Sequence, residues 1–337
     1  MNSTSALRSF GDLPADLLSN ICTHLDISDI INVGRVRKHL GNLVDTRIYK
    51  EIKKLRVEVD GDHPAIQFTF KNGRTNEIKL DQVDWEDIVK RGKCIETIEL
   101  EINPEKSTSQ LFHVFKRASF SLKTLKINVL GGSVQRVNML HQRCIALVSQ
   151  HRSTLLHLEA STPDEQHVIV QMQRGSPDMK LTYEQSVEPL PSDKTKQAQN
   201  QQFVYNMFHE LLGYRTNTNV TLEIGNKFDA NLALQKAFQV AIPHVKRKIL
   251  ESLTIEFKNS LQQVTEDEMK QVLLRHVDEF HFTTPNLQHF HCSLPHDEMD
   301  LSQEFLAQLN EPVRKSRRSP KSMPYNSSIS LRPVRCK

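Results

Sequence analysis

From residue 13 onward the apolar positions fall at helical spacing, with Leu17, Leu18, Ile21 and Leu25 loading one face. Pro14 suits the first turn of such a helix, where its missing N–H would have no partner in any case. Asp26 and Ser28 offer a break and a new cap. Ile30, Ile31 and Val33 then predict a second short helix, and Val36, Leu40, Leu43 and Val44 a third. Chains below about 40 residues seldom bury enough surface to fold alone. The surplus apolar faces of this unit therefore predict docking, on the rest of the chain or on a partner.

After Tyr49 the period changes to two. Leu55, Val57 and Val59 alternate with polar residues, then Ile66, Phe68 and Phe70, then Ile78 and Leu80. Asn72-Gly73 between the second and third runs is a hairpin signal. A small antiparallel meander is expected, followed by a helix in which Trp85 is a packing anchor. Further alternating strands are predicted around Ile98, Leu125, Leu156, Leu222, Leu253 and Phe290. Their spacing of about 30 residues is what a right-handed strand–helix–strand crossover needs. One interval is double, and Met179, Leu181 and Tyr183 are the candidate strand within it.

Helical patterns fill the gaps at Leu111–Ala118, after a capping cluster at Ser107–Ser109, and at Val134–Val148, Phe203–Leu212, Leu232–Val240, Met269–Phe280 and Phe305–Leu309. Glu184–Gln202 is polar, carries Pro189 and Pro191, and is predicted to be a loop. Residues then divide into a three-helix unit (9–48), a β meander with connecting helix (49–92), an α/β strand–helix array (93–311, with the polar loop 184–202) and a tail (312–337).

Alternation fixes which side chains leave the array's core. The outward set is Thr97, Glu99, Glu101, Thr124, Lys126, Asn128, His157, Glu159, Thr221, Glu223, Thr254, Glu256, His289 and His291. Curved arrays bind partners on such a face. Five of these residues are Glu and one is Lys, so a basic peptide or patch is the expected ligand, against a plain solvated face.

Charge changes this picture at one end only. The chain of 337 residues carries a net +4. Eight basic and no acidic residues lie in 312–337; without them +4 becomes −4. The tail is Ser- and Pro-rich and is expected to be disordered. Arg314–Pro320 is a candidate nuclear-import signal, and phosphorylation of Ser319 would partly cancel its charge. The five cysteines (22, 94, 144, 292, 336) fit neither a disulfide framework nor a zinc pair, which points to a reducing compartment. No signal peptide or membrane span is evident in the sequence.

Residues 13–44 carry a resemblance. Leu13-Pro14-Ala15-Asp16-Leu17-Leu18-Ser19-Asn20-Ile21, followed by Leu25, Ile30, Val33, Val36, Lys38, Leu40 and Leu43, resembles the F-box motif without gaps. Arg37 stands where Cys is frequent, and Leu40 where Trp is. The resemblance implies binding to a Skp-type linker protein, and through it to a cullin–RING (SCF-type) ubiquitin ligase. Leu13, Pro14, Leu17, Ile21, Leu25, Ile30, Val33 and Val36 would be the apolar anchors. The L-x-x-L-x-I-x-V strands followed by helices resemble an irregular leucine-rich repeat, as in the FTH-type C-terminal regions of nematode F-box families. The expected role is a substrate-recruiting adaptor in the cytoplasm or nucleus.

Other chemistry finds little support. His281, His289, His291, Cys292 and His296 cluster in sequence, but alternation splits them between faces, and no HExxH or CxxC accompanies them, so no metal is expected. No GxSxG, Walker A or GxGxxG occurs, and no cofactor or active site is expected. Cys94 and Cys144 are expected to be buried and inert. The alternative to the adaptor is a non-enzymatic scaffold that binds protein or nucleic acid through the array face and tail. The acidic body disfavours nucleic acid, and no membrane role is expected.

Overall fold

The computed structural model describes residues 13–22, 24–25, 29–30, 32–33, 52–59, 64–79, 92–162, 166–185, 194–212, 216–226, 251–257, 289–293 and 298–299. Among them are helices α1 (Ala15–Cys22), α2 (Ser109–Arg117), α3 (Val134–His151) and α4 (Lys194–Leu212). The strands are β1 (Ile52–Val59), β2 (Ala65–Phe70), β3 (Thr75–Lys79), β4 (Thr97–Ile102), β5 (Thr124–Val129), β6 (His157–Ser161), β7 (Gln166–Met172), β8 (Asp178–Gln185), β9 (Asn219–Asn226), β10 (Ser252–Phe257), β11 (His289–Ser293) and β12 (Glu298–Met299). The class is α/β with a mixed sheet. The third expected helix of the N-terminal unit, and those at Trp85, 232–240, 269–280 and 305–309, lie outside the described residues, as does the tail.

All twelve strands form one sheet, in the order β12-β11-β10-β9-β8-β7-β6-β5-β4-β1-β2-β3. From β4 onward each strand lies beside the next in sequence. The meander is not separate: β1 pairs in parallel with β4 along its length. One inward row runs Leu55, Ile98, Leu125, Leu158, Val170, Leu181 and Leu222, all fully buried. Leu158 and Ile255 hold the register that sequence spacing assigned to Leu156 and Leu253. A slip of two residues keeps each side chain on its face, so the alternation survives it.

Three expectations need correction. The double interval holds the expected strand at Met179, Leu181 and Tyr183 as β8, but no crossover leads into it from β6. It also holds β7, antiparallel to both β6 and β8, so a hairpin replaces a crossover. The polar loop 184–202 is shorter than predicted, because β8 runs to Gln185 and α4 starts at Lys194. Lys, Gln and Ala in 194–202 are strong helix formers, and Asn200 is buried. Thr108, in the expected capping cluster, makes no side-chain cap; its Oγ1 instead accepts from Arg143 Nη1 of α3 (2.9 Å).

The turn between β2 and β3 follows its sequence. Gly73 adopts φ +84°, a conformation open to glycine at little cost, and Asn72 Oδ1 accepts from Arg74 N (3.0 Å). This hairpin also holds α1. Arg74 Nη2 donates to the carbonyls of His24 (3.1 Å) and Leu25 (2.9 Å), just past the end of α1, where exposed carbonyls favour a cation.

Candidate functional site

Two surfaces gather the sequence-predicted residues. The first is α1. Residues three and four apart share a helix face, and the two faces of α1 differ sharply. Leu18 is 1% exposed and packs with Leu13 and Val33, while Cys22 joins the main core, where burial pushes its thiol upward. On the other face Pro14 is exposed, Leu17 is 53% exposed and Ile21 37%. Leu13, Leu25 and Val33 are half-buried. Ile30 does not belong with them. It is 1% exposed in the main core, so its side chain is spent on this molecule and cannot anchor a partner. Val36 lies outside the described residues.

The second surface is the open face of the sheet, where parallel register aligns the predicted outward residues in rows. One row runs Arg56, Glu99, Lys126, Glu159, Ile169, Thr182, Glu223 and Glu256 across eight strands. A neighbouring row runs Glu58, Glu101, Asn128, Ser161, His167 and Glu184. His157 and His291 sit in a third row with Lys54 and Lys180. His289 is exposed on β11.

Several charges on this face pair. Lys54 meets Glu99 at 2.7 Å, Arg56 meets Glu101 at 3.1 Å, and Lys126 meets Glu159 at 2.9 Å. Glu159 also accepts from His157 Nε2 (3.4 Å) and His167 Nε2 (3.0 Å). These hydrogen bonds from His157, His167 and then Lys126 hold the Glu159 carboxyl well below the usual carboxylate range. In return, the bond to Glu159 raises the pKa of His167 and that of Lys126. Glu223 is the exception to an outward face. It is 6% exposed, ion-paired with Lys180, and accepts from Thr182 Oγ1 (3.0 Å).

The count of five Glu against one Lys is incomplete: with Glu58 and Glu184 these rows hold seven Glu, against Lys54, Arg56, Lys126 and Lys180. It omitted cations from strands outside its alignment: Lys54 and Arg56 on β1, and Lys180 on β8. The hairpin adds His167. The result is a lattice of opposite charges, with a hollow of about 250 Å3 lined by Arg56, Glu99, Glu101, Lys126, Asn128 and Glu159 among others. A purely basic ligand would face cations as well as carboxylates. Sequence reasoning missed these residues because the cross-strand neighbours of β4 are set by topology, not by adjacency.

Among the described residues no three His, Cys, Asp or Glu side chains converge as a metal site, and no helix is long and apolar enough to cross a membrane. Cys144 is buried, with its thiol pushed upward by burial; Cys94 is half-buried rather than buried. His291 and Cys292 occupy adjacent positions in β11, and His281 and His296 lie outside the described residues. Compared with protein-family models and with curated proteins, the chain matches none.

Proposed function

We propose that this chain is a non-catalytic, substrate-recruiting adaptor of a cullin–RING ubiquitin ligase. It binds a Skp-type linker through its F-box-like N-terminus and a target protein through the strand–helix array. The observation that carries this reading is the face of α1. Leu17 and Ile21, two residues of the LPxDLLxxI stretch, stay exposed beside Pro14 while Leu18 and Cys22 seal the helix to its own molecule. Covering what Leu17 and Ile21 still expose is worth on the order of 1 kcal/mol each. A short apolar helix face of this kind is a ligand for a groove on a partner. The open sheet face supports recognition of a target that carries both charge signs, because cations and carboxylates both lie on it.

Co-purification with a Skp-type linker tests the proposal. The wild type is expected to form a stoichiometric complex, and Leu17→Asp/Ile21→Asp to weaken it at least ~10-fold, a change of about 1.4 kcal/mol. Both positions are exposed, so the variant should melt as the wild type does. Failure of the wild type to bind the linker overturns the adaptor.

A further inference from the structure

The helical side of the sheet carries a second surface, independent of α1 and of the open face. A groove of about 740 Å3 runs between α2 and α3. Ala146 gives it an apolar lining together with the edges of the otherwise buried Phe112 and Leu147, and His113, Lys116 and Arg143 give a basic one; none of its lining residues is acidic. A smaller hollow of about 70 Å3 continues it, sharing Ser109 and Arg143. That hollow adds Lys106, Arg136 and Met139, again without a carboxylate. Met139 is 47% exposed.

The cations here differ from those on the open face. Among the described residues, no carboxylate forms an ion pair with Lys106, His113, Lys116 or Arg136. Glu105 is close enough for Arg136 to help hold its carboxyl low, but it is committed first to the Ser133 backbone N–H, at 2.6 Å. Arg136 also stands in the first turn of α3, where the helix dipole disfavours a cation. Its charge therefore does nothing for the helix that bears it. From Ser109 to Lys116 the groove follows about two helical turns, on the order of 10 Å, with Arg136 and Lys106 near one end and Lys116 near the other.

We propose that the α2–α3 groove binds an acidic amphipathic segment of a partner protein. Its apolar side chains would lie on Phe112, Ala146 and Leu147, and its carboxylates would meet Lys116 at one end and Arg136 and Lys106 at the other. Charge decides between occupants. The chain's own residues 312–337 carry eight basic and no acidic groups, so this rim repels them. The groove does not depend on linker binding, and either proposal can fail alone.

Selection from a random 12-residue peptide display library on the intact chain is the test, followed by fluorescence anisotropy of the enriched peptides. Enriched sequences are expected to carry net negative charge, with apolar residues at i, i+3 or i+4. Lys116→Glu/Arg136→Glu should weaken them at least tenfold, as should Ala146→Trp, which fills the groove. Linker co-purification and thermal melting should stay unchanged in these variants, since all three positions are exposed. Enrichment of neutral or basic peptides, no enrichment, or acidic peptides that bind the charge-reversed chain equally well would each overturn the proposal.

Discussion

Glu159 and His141 show how neighbours set the chemistry of single side chains. Glu159 is surrounded by donors, and its partner His167 is held protonated to higher pH than an ordinary histidine. His141 is 3% exposed between α3 and α4, stacked on Phe203 at 3.7 Å, and its Nε2 has no hydrogen-bond partner among the described residues. Burial pulls its pKa from 6.5 down to about 4. The two histidines bias stability in opposite directions. The His167–Glu159 pair stabilises fully below the unfolded pKa of 6.5 and is lost as pH rises through the higher folded value. Neutral His141 is tolerated above 6.5, and stability falls as pH drops toward 4, because the unfolded chain takes up the proton first. Urea melts should show this directly. Glu159→Gln should cost about 1 kcal/mol at pH 6, the figure for a partly exposed charged pair, and less at pH 8.5. His141→Phe keeps the stack, and should remove about 2 kcal/mol of the stability that the wild type loses between pH 7 and 5. The remaining slope there belongs in part to His151, whose pKa burial also lowers. Unchanged pH slopes in both variants would refute these roles.

At the scale of elements, α1 buries one set of apolar side chains and exposes another. Leu18→Ala removes a buried side chain and should cost about 2–5 kcal/mol. Leu17→Ala/Ile21→Ala, on the exposed face, should stay within about 0.5 kcal/mol per site by denaturant melts. A reversed order would mean that α1 docks the other way round. The helical face of α1 was legible from Leu17, Leu18, Ile21 and Leu25; which half of it faces out was not, because periodicity gives a stripe and not its neighbour. The period-two strands were legible for the same reason, since alternation is a local property. β7 was missed although Val168-Ile169-Val170 is a β-branched run, which suits a strand. Reading the strand spacing as crossovers hid a hairpin that needs only a short turn at Gly175, which has φ +80°. The start of α4 was missed because a polar segment was equated with a loop. Thr108 lost its expected cap to Arg143, a partner on another helix that no local rule supplies.

At the scale of the molecule, β7 decides whether the chain is one cooperative body. To one side of it β4, β5 and β6 run parallel, and to the other β8, β9, β10 and β11 do. β7 is the antiparallel link between them. In stacked arrays each unit is stabilised chiefly by its neighbours, so a weak link would let the two sides unfold separately. The packing argues against that: Val168 and Val170 are fully buried in rows continuous with Ala160 and Leu158 on one side and with Tyr183 and Leu181 on the other. Val168→Asp places an unpaired charge in that row, at a cost of several kcal/mol. If the sheet is one unit, amide hydrogen exchange in this variant should speed up in β5 and β6 and in β8 and β9 alike. Gln171→Asp, at an exposed position of the same strand, should change little. Loss of protection confined to β7 and β8, with β5 and β9 untouched, would instead mark the hairpin as an insertion between two independently folding arrays. The open sheet face, which crosses β7 through Ile169 and His167, would then be two surfaces rather than one.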